Sequence, residues 1–344
     1  MALTFDDLLA TTLAHHRKEL ADNIFSEMAL LDALRAHGQV SVGGGTKAVF
    51  PLMYSAGTSN GGSFSGLDAA VLAEPTGISA AAFDWKYYQW PIVHAWTTSQ
   101  ENRGKEAVIR LITARIKQAK LAIRDDINTD LYGDGTGNGG KDITGLTAMA
   151  PIDPSDDEYG GIASADYAWW RSQTTDVSAG ATKSVYELDA SSGEAFLLQC
   201  MRGQFNFIVA RRKTAAQSVI WLADTEGYDM YESLIDPRHR VQDDKTANLG
   251  WTNITFKGRP VIQDANVVIQ AGATEGTSTM YCLPMSCIEF MVQRGAAFQL
   301  TKPTSLQAIG KQGTARFVLF GGNLGTDERR LPGVLYNLQR TVPE

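Results

Sequence analysis

Lys47-Ala-Val-Phe-Pro-Leu-Met-Tyr54, a Gly- and Ser-rich excursion from Ser55 to Gly77, an aromatic run from Ala80 to Trp96, and one long amphipathic segment from Thr98 to Leu131 follow one another without a break. The first and third pieces read as strands, the third carrying Phe83, Trp85, Tyr87, Tyr88, Trp90 and Trp96. Pro91 within it cannot donate to a ladder and argues for an edge position. The excursion between them is mostly uncharged and has almost no core of its own. Loops of about 20 residues without secondary structure are uncommon in compact domains and serve as lids or binding elements. Set between two strands, this one reads as an arm that reaches a neighbouring chain. Ser59, Asn60, Gly61, Phe64 and Leu67 are its candidate contact residues.

The segment from Thr98 reads as a helix. Thr98-Ser-Gln-Glu101 fits a capping box, in which the first hydroxyl and the glutamate satisfy free amides reciprocally. Val108, Ile112, Ile116, Ile123 and Ile127 recur at helical spacing and predict one narrow buried seam. Arg103, Lys105, Arg110, Arg115, Lys117, Lys120 and Arg124 occupy the other faces. About 33 residues at 1.5 Å each make a rod of roughly 50 Å. It ends in Tyr132-Gly-Asp-Gly-Thr-Gly-Asn-Gly-Gly140, which reads as a flexible turn.

Upstream, Phe5 to His37 reads as a helical arm, with Gly38 where a C-cap glycine belongs. Its roughly 30 residues cannot bury two apolar patches alone, so the arm packs on something else. Downstream, Ile143 to Ser184 is loop-rich. Helices are predicted over Gly193 to Phe207 and Asp224 to Ile235. Strands are predicted over Ser218 to Leu222, Trp251 to Phe256, Pro260 to Asp264, Met280 to Pro284, Ile288 to Val292, Phe298 to Leu300 and Ala315 to Phe320. Strands mixed with helices, without strict alternation, indicate an α+β protein.

With 344 residues and 44% hydrophobic content, the chain can bury a large core. Its 33 glycines exceed the usual share of about 7% and favour turns and extended loops. The net charge of -7 argues against a nucleic-acid-binding face as the main business. Cys200, Cys282 and Cys287 form neither an even disulfide set nor a zinc spacing, which suits reduced, cytosolic synthesis. The acidic N-terminus lacks a signal peptide's basic start. No run approaches about 18 consecutive apolar residues, so no membrane helix is expected.

Several short motifs imitate chemistry without completing it. Gly135 to Lys141 satisfies a phosphate-binding loop until Asp142, where a Ser or Thr hydroxyl is required. Asp134, Thr136, Asn138 and Gly139 begin like an EF-hand loop, but the twelfth position is Gly145 and not a glutamate. Gly57-Thr-Ser-Asn-Gly61 matches a nucleophile elbow around Ser59, yet no helix follows to frame the serine. His15, His16, His37, His94 and His239 lack metal-ligand spacing. Asn253-Ile-Thr255 fits a glycosylation sequon, with nothing to route the chain to secretion. No catalytic, cofactor or metal residue is therefore assigned, and no enzyme activity is expected.

The order of parts resembles the major capsid protein of tailed bacteriophages, a fold shared with encapsulins. The resemblance covers nearly the whole chain. Its most specific pieces are Leu131-Tyr-Gly-Asp-Gly135 with Ile143-Thr-Gly-Leu146, and Phe256-Lys-Gly-Arg-Pro-Val261 with Asp264. It implies an N-terminal arm (1–45), an extended loop with flanking strands (46–97), a spine helix with the first part of a peripheral domain (98–189), an axial domain (190–268), and late strands returning to the peripheral domain (269–344). It further implies self-assembly into hexamers and pentamers of an icosahedral head, which encloses DNA without sequence-specific binding. Implied partners are other copies of the chain, a portal protein and a scaffolding protein, with room for a decoration protein and no membrane. The implied places are the host bacterial cytoplasm for synthesis and the virion afterwards. Some relatives cross-link a loop lysine to a neighbour's asparagine; Ser55 to Ser79 contains no lysine. Many carry a cleaved N-terminal scaffolding segment; here Met1 leads almost directly into the arm, so a separate scaffolding protein is expected. An encapsulin compartment that holds cargo enzymes is the alternative, and a serine hydrolase using Ser59 is a third.

The hydrolase alternative is directly testable. Ser59→Ala should leave assembly intact, and the wild type should stay unlabelled by a serine-directed fluorophosphonate. Stoichiometric labelling at Ser59, read by mass spectrometry, would restore the hydrolase.

Overall fold

The computed structural model describes residues 29–55, 63, 65–66, 76–97, 111–178, 184–186, 195–235, 254–270, 273–274, 277–307 and 310–340. Most of the predicted N-terminal arm, the tip of the extended loop and the start of the long helix lie outside the described residues. The first described helix, α1 (Ala29–Ala36), buries Leu30 and Leu34 completely. It stops at Gly38, whose φ of 69° is the left-handed conformation a Schellman cap requires. Gln39 N–H donates to the Leu34 carbonyl at 2.8 Å and Gly38 N–H to that of Arg35 at 3.0 Å.

Two strands then form an antiparallel ribbon, β2 (Lys47–Met53) with β3 (Ile78–Asp84), preceded by β1 (Val40–Gly43). The aromatic run expected as one strand is broken at Trp85, which is buried and donates from Nε1 to the Gly45 carbonyl at 3.0 Å. Beyond it, β4 (Lys86–Ala95) leaves the ribbon and pairs along its length with β13 (Gly313–Thr326), from Lys86↔Gly322 to Ala95↔Gly313. Among the described residues β4 pairs with β13 alone, so Pro91 occupies an edge strand, where its missing N–H costs no ladder bond. The same sheet holds β10 (Ile288–Gln293), β11 (Gln299–Leu300) and β12 (Thr304–Ser305), in the order β1-β10-β13-β11, with β12 also on β13.

β13 runs well past the predicted Phe320. Gly321, Gly322 and Gly325 lie inside the strand, paired with β4 and β10, and neighbours press on its backbone there. A Cβ at Gly325 would meet the Phe50 ring at 2.9 Å, and one at Gly322 the Met291 carbonyl oxygen at 2.7 Å. Glycine inside a strand often marks such a close approach.

The second sheet is ordered β5-β14-β9-β6-β8-β7, from β5 (Gln173–Asp176), β6 (Val219–Ala223), β7 (Ile254–Phe256), β8 (Arg259–Gln263), β9 (Ser278–Pro284) and β14 (Gly333–Leu338). Its centre is covered on both faces. Along β6, Ile220 and Leu222 enter one core while Val219, Trp221 and Ala223 enter another. That is why Val-Ile-Trp-Leu-Ala reads as continuous rather than alternating apolar sequence. The second core is closed by α3 (Phe196–Arg211) and α4 (Thr225–Leu234), the latter capped by Asp224, which accepts from Gly227 N–H at 2.9 Å. The strands β1, β5, β12 and β14 were not predicted. β5 and β14 are short and find their pairing only with each other and β9.

The long helix is described as α2 (Leu111–Tyr132). Ile123 and Ile127 are buried in the first core, and Ile116 packs against it half-buried. Val108 and the Ile112 side chain lie outside the described residues. Arg115 is half-covered, and Lys117, Lys120 and Arg124 are exposed. Ile127→Ala should therefore lower stability by about 2–5 kcal/mol, the usual cost of a cavity at a fully buried aliphatic position. Ile116→Ala should cost clearly less, because its site is half-open to solvent. Urea unfolding followed by circular dichroism compares the two, and equal losses would contradict this burial pattern.

Candidate assembly surfaces

The glycine-rich turn after α2 is a built joint. Gly135 takes a φ of 80° so that its backbone can lie against Thr144, where a Cβ would come within 3.0 Å of Cα. Gly145 presses on the end of α2, where a Cβ would sit 2.6 Å from the carbonyl oxygens of Asp130 and Gly133. Asn323 of β13, almost fully buried, accepts from Thr144 N–H at 2.9 Å and donates to the Asp84 carbonyl at 2.8 Å. One amide side chain thus ties the turn to the foot of the ribbon. Nearby, Tyr88 donates to Asp130 at 2.6 Å while accepting from Ile143 N–H at 2.8 Å, and Trp90 donates to Asp126 at 2.6 Å.

The imitated motifs are occupied by their own residues. The Asp142 carboxylate lies over Gly137, where a bound phosphate would need backbone amides free of negative charge. Asp134 accepts from the Thr136 amide at 2.9 Å and hydroxyl at 2.8 Å, and the amide contact in particular holds its carboxyl below the usual range. Among the described residues, no three His, Cys, Asp or Glu side chains are arranged to hold a metal ion. No described helix is long and apolar enough to cross a membrane. His94 sits beside Arg115 and Arg316 in a small cavity; burial first, then the Arg115 charge, lowers its pKa. None of the three cysteines forms a disulfide. Burial raises Cys282 far above the ordinary range and Cys287 to about 11, so neither is a poised nucleophile.

The ribbon presents two unlike faces. Ala48, Phe50 and Leu52 with Phe83 and Ala81 turn inward, where Phe83 meets the Phe50 ring at 5.7 Å and the Tyr159 ring at 5.0 Å. The outward row begins with the Lys47–Asp84 ion pair at 3.0 Å and then becomes apolar: Val49 opposite Ala82, Pro51 opposite Ala80, Met53 opposite Ile78. Met53 and Ile78, opposite each other, are 76% and 77% exposed, and with Val49 they extend one outward apolar row. At the same end Tyr54 stacks on Trp169, ring centroids 5.0 Å apart, over a cleft of 320 Å³ bordered by Glu328 and Arg330. A second exposed band follows the outer face of β4, with Tyr87, Pro91 and Val93. The predicted contact residues Ser59, Asn60, Gly61, Phe64 and Leu67 lie outside the described residues. The sequence reading did not single out Val49, Met53 and Ile78, although their alternation within two facing strands carries the signal.

No family model matches the chain, and no curated protein matches it in sequence. Solved structures do match its fold. The capsid asymmetric unit of cyanophage A-1(L) is 17% identical with a TM-score of 0.62, covering 98% of this chain and 99% of that one. The capsid of a native GTA particle is 9% identical with a TM-score of 0.61, covering 95% of each chain. The holo-SrpI encapsulin complex from Synechococcus elongatus PCC 7942 is 10% identical with a TM-score of 0.57, covering 98% of each. The chain has the α+β fold that phage capsid proteins share with encapsulins.

Burial of Asp130 makes the joint sensitive to pH. Burial raises the Asp130 carboxyl above its ordinary value, against the opposing hydrogen bond from Tyr88, and Asp142 and Asp126 push it further up. A carboxyl raised on folding adds stability that is fully present below its unfolded value and lost as pH rises through its folded value. Asp130→Asn keeps an acceptor for Tyr88 without the charge. It should raise the urea midpoint at neutral pH, and the gain should vanish below about pH 4. A gain that persists unchanged into acid would refute this origin.

Proposed function

We propose that this chain is a major capsid protein, whose copies associate as hexamers and pentamers into a closed icosahedral head around a phage genome. The observation that carries the proposal is the end-to-end correspondence of its fold with subunits of phage capsids. An outward apolar row on an extended ribbon supports it. Such a row is a liability for an isolated chain and an asset for one that buries it against a neighbour. Buried apolar surface contributes about 25 cal/mol per Å², so each ribbon contact is modest. Closure multiplies these contacts around each ring, so that avidity exceeds any single affinity.

In this reading the extended loop, including Ser59, Asn60, Gly61, Phe64 and Leu67, is ordered by a neighbour. Residues 190–268 form an axial part that shares the second sheet with β9 and β14. The chain acts as a structural component of the virion and not as an enzyme. A portal protein and a scaffolding protein are its expected partners in the host cytoplasm, and a decoration protein fits outside. The encapsulin match supports a second reading, a compartment around cargo proteins, because the two share this fold.

Removing residues 57–66 should leave a folded monomer that forms no closed shells. Size-exclusion chromatography and electron microscopy read the outcome. Heads of normal size and shape from the deletion would sink the role given to the loop. Nucleic acid, and not cargo protein, inside wild-type particles separates the head from the compartment.

A further inference from the structure

The charges on the described part of α2 are segregated: Arg115, Lys117, Lys120 and Arg124 come first and Asp125, Asp126 and Asp130 follow. The acids have a use within the chain: Asp126 receives Trp90 and Asp130 receives Tyr88. Lys117, Lys120 and Arg124 are exposed and make no ion pair among the described residues.

These three cations fall within an arc of about 60° at 3.6 residues per turn, on the flank away from the acids that face β4. They span about 10 Å along the axis, the length of roughly three phosphates on one strand of a duplex. In the sequence the row begins earlier, because Arg103, Arg110, Lys117 and Arg124 recur at every seventh position. Arg103 and Arg110 lie outside the described residues, so the three described cations carry the inference. Beside them Leu121 is half-buried, and among the described side chains of the helix no large apolar one is fully exposed. A protein partner would want an apolar or aromatic anchor there, because Lys is depleted from protein interfaces and binding energy concentrates on Trp, Tyr and Arg in pockets. A bare row of long cations fits a polyanion.

We propose that the flank of α2 carrying Lys117, Lys120 and Arg124 binds the phosphate backbone of nucleic acid without reading its sequence. That this flank lines the inside of a shell rests on the capsid reading; the phosphate contact does not. The net charge of -7 is no obstacle, since contact with a duplex is decided within a Debye length of about 10 Å.

The test uses the unassembled full-length chain, a short fluorescein-labelled DNA duplex and fluorescence anisotropy across a salt series. Each neutralised phosphate contributes a slope of about -0.9 to log affinity against log salt, so three contribute about -2.7 and weaken binding about 40-fold between roughly 50 and 200 mM. Combined Lys117→Gln, Lys120→Gln and Arg124→Gln should reduce the slope by about that amount and keep the wild-type circular dichroism. Combined Lys117→Arg, Lys120→Arg and Arg124→Lys should retain it. An unchanged slope in the glutamine variant overturns the proposal. So does a glutamine variant that binds DNA normally but forms no shells by electron microscopy, which would assign the flank to an acidic surface of a second copy. If the slope falls as expected while the wild type forms no shells even when co-produced with a scaffolding protein, the capsid reading fails and the phosphate contact stands.

Discussion

The Tyr132 hydroxyl donates to the Asp264 carboxylate at 2.7 Å in the buried centre of the molecule, and the two halves of the fold meet on that bond. Tyr132 closes α2, and Asp264 closes β8. Asp264 is held in turn, its N–H donating to the Ala223 carbonyl at 2.9 Å and its other oxygen accepting from Asn266 N–H at 2.9 Å. Around them Thr147 donates to the Tyr132 carbonyl, while Gln270 donates to Tyr281 and to the Ala150 carbonyl, both at 2.8 Å. A hydrogen bond to a charged group is worth about 1.5–3 kcal/mol, and a buried carboxylate deprived of its donor costs more than the bond contributed. Burial, with the Asp264 charge beside it, pushes the Tyr132 phenol far above its ordinary value, so it stays a donor. The two sequence pieces that most resemble capsid proteins, Leu131 to Gly135 and Phe256 to Asp264, are therefore the two sides of one joint.

A second buried polar site braces the loop-rich region. Arg329 is fully buried, yet its guanidinium donates to the Met149 carbonyl at 3.0 Å, the Ala148 carbonyl and the Ser164 hydroxyl at 2.8 Å, and pairs with Asp157 over the Tyr159 ring. A buried charge is tolerable only when its donors are met in this way. The described residues from Ile143 to Ser178 hold few regular elements, so side-chain contacts of this kind hold them in place of ladders. Phe83 of the ribbon touches Tyr159, which connects the base of the arm to the same site.

From these joints follows a division of the surface. The rigid interior fixes the ribbon's inner face and the acidic flank of α2. What is left outward is an apolar row on the ribbon and a cationic row on the helix. Their chemistries suit different partners, because apolar rows recognise protein and bare cations recognise phosphate.

Much of this was legible in the chain itself. The glycine cap at Gly38, the capping aspartate at Asp224, the edge placement of Pro91 and the twice-covered strand from Val219 each follow from local chemistry or from a run of apolar residues. The isoleucines of α2 follow from a period of 3.6. Other features were not legible. Gly321, Gly322 and Gly325 carry no strand signal of their own, and only pairing with β4 and β10, under Phe50 and Met291, makes them strand. β5 depends on β14, about 160 positions away, and β14 on β5 and on β9, itself more than 50 positions away, pairings whose energy no local pattern contains. The candidate surface has the same limit. Alternation in β2 and β3 says that Val49, Met53 and Ile78 share one face and Phe50 and Phe83 the other. Period two cannot say which face meets the core. Contact with Tyr159 and Gly325, set by the packing of distant segments, decides that, and with it which residues are left for a partner.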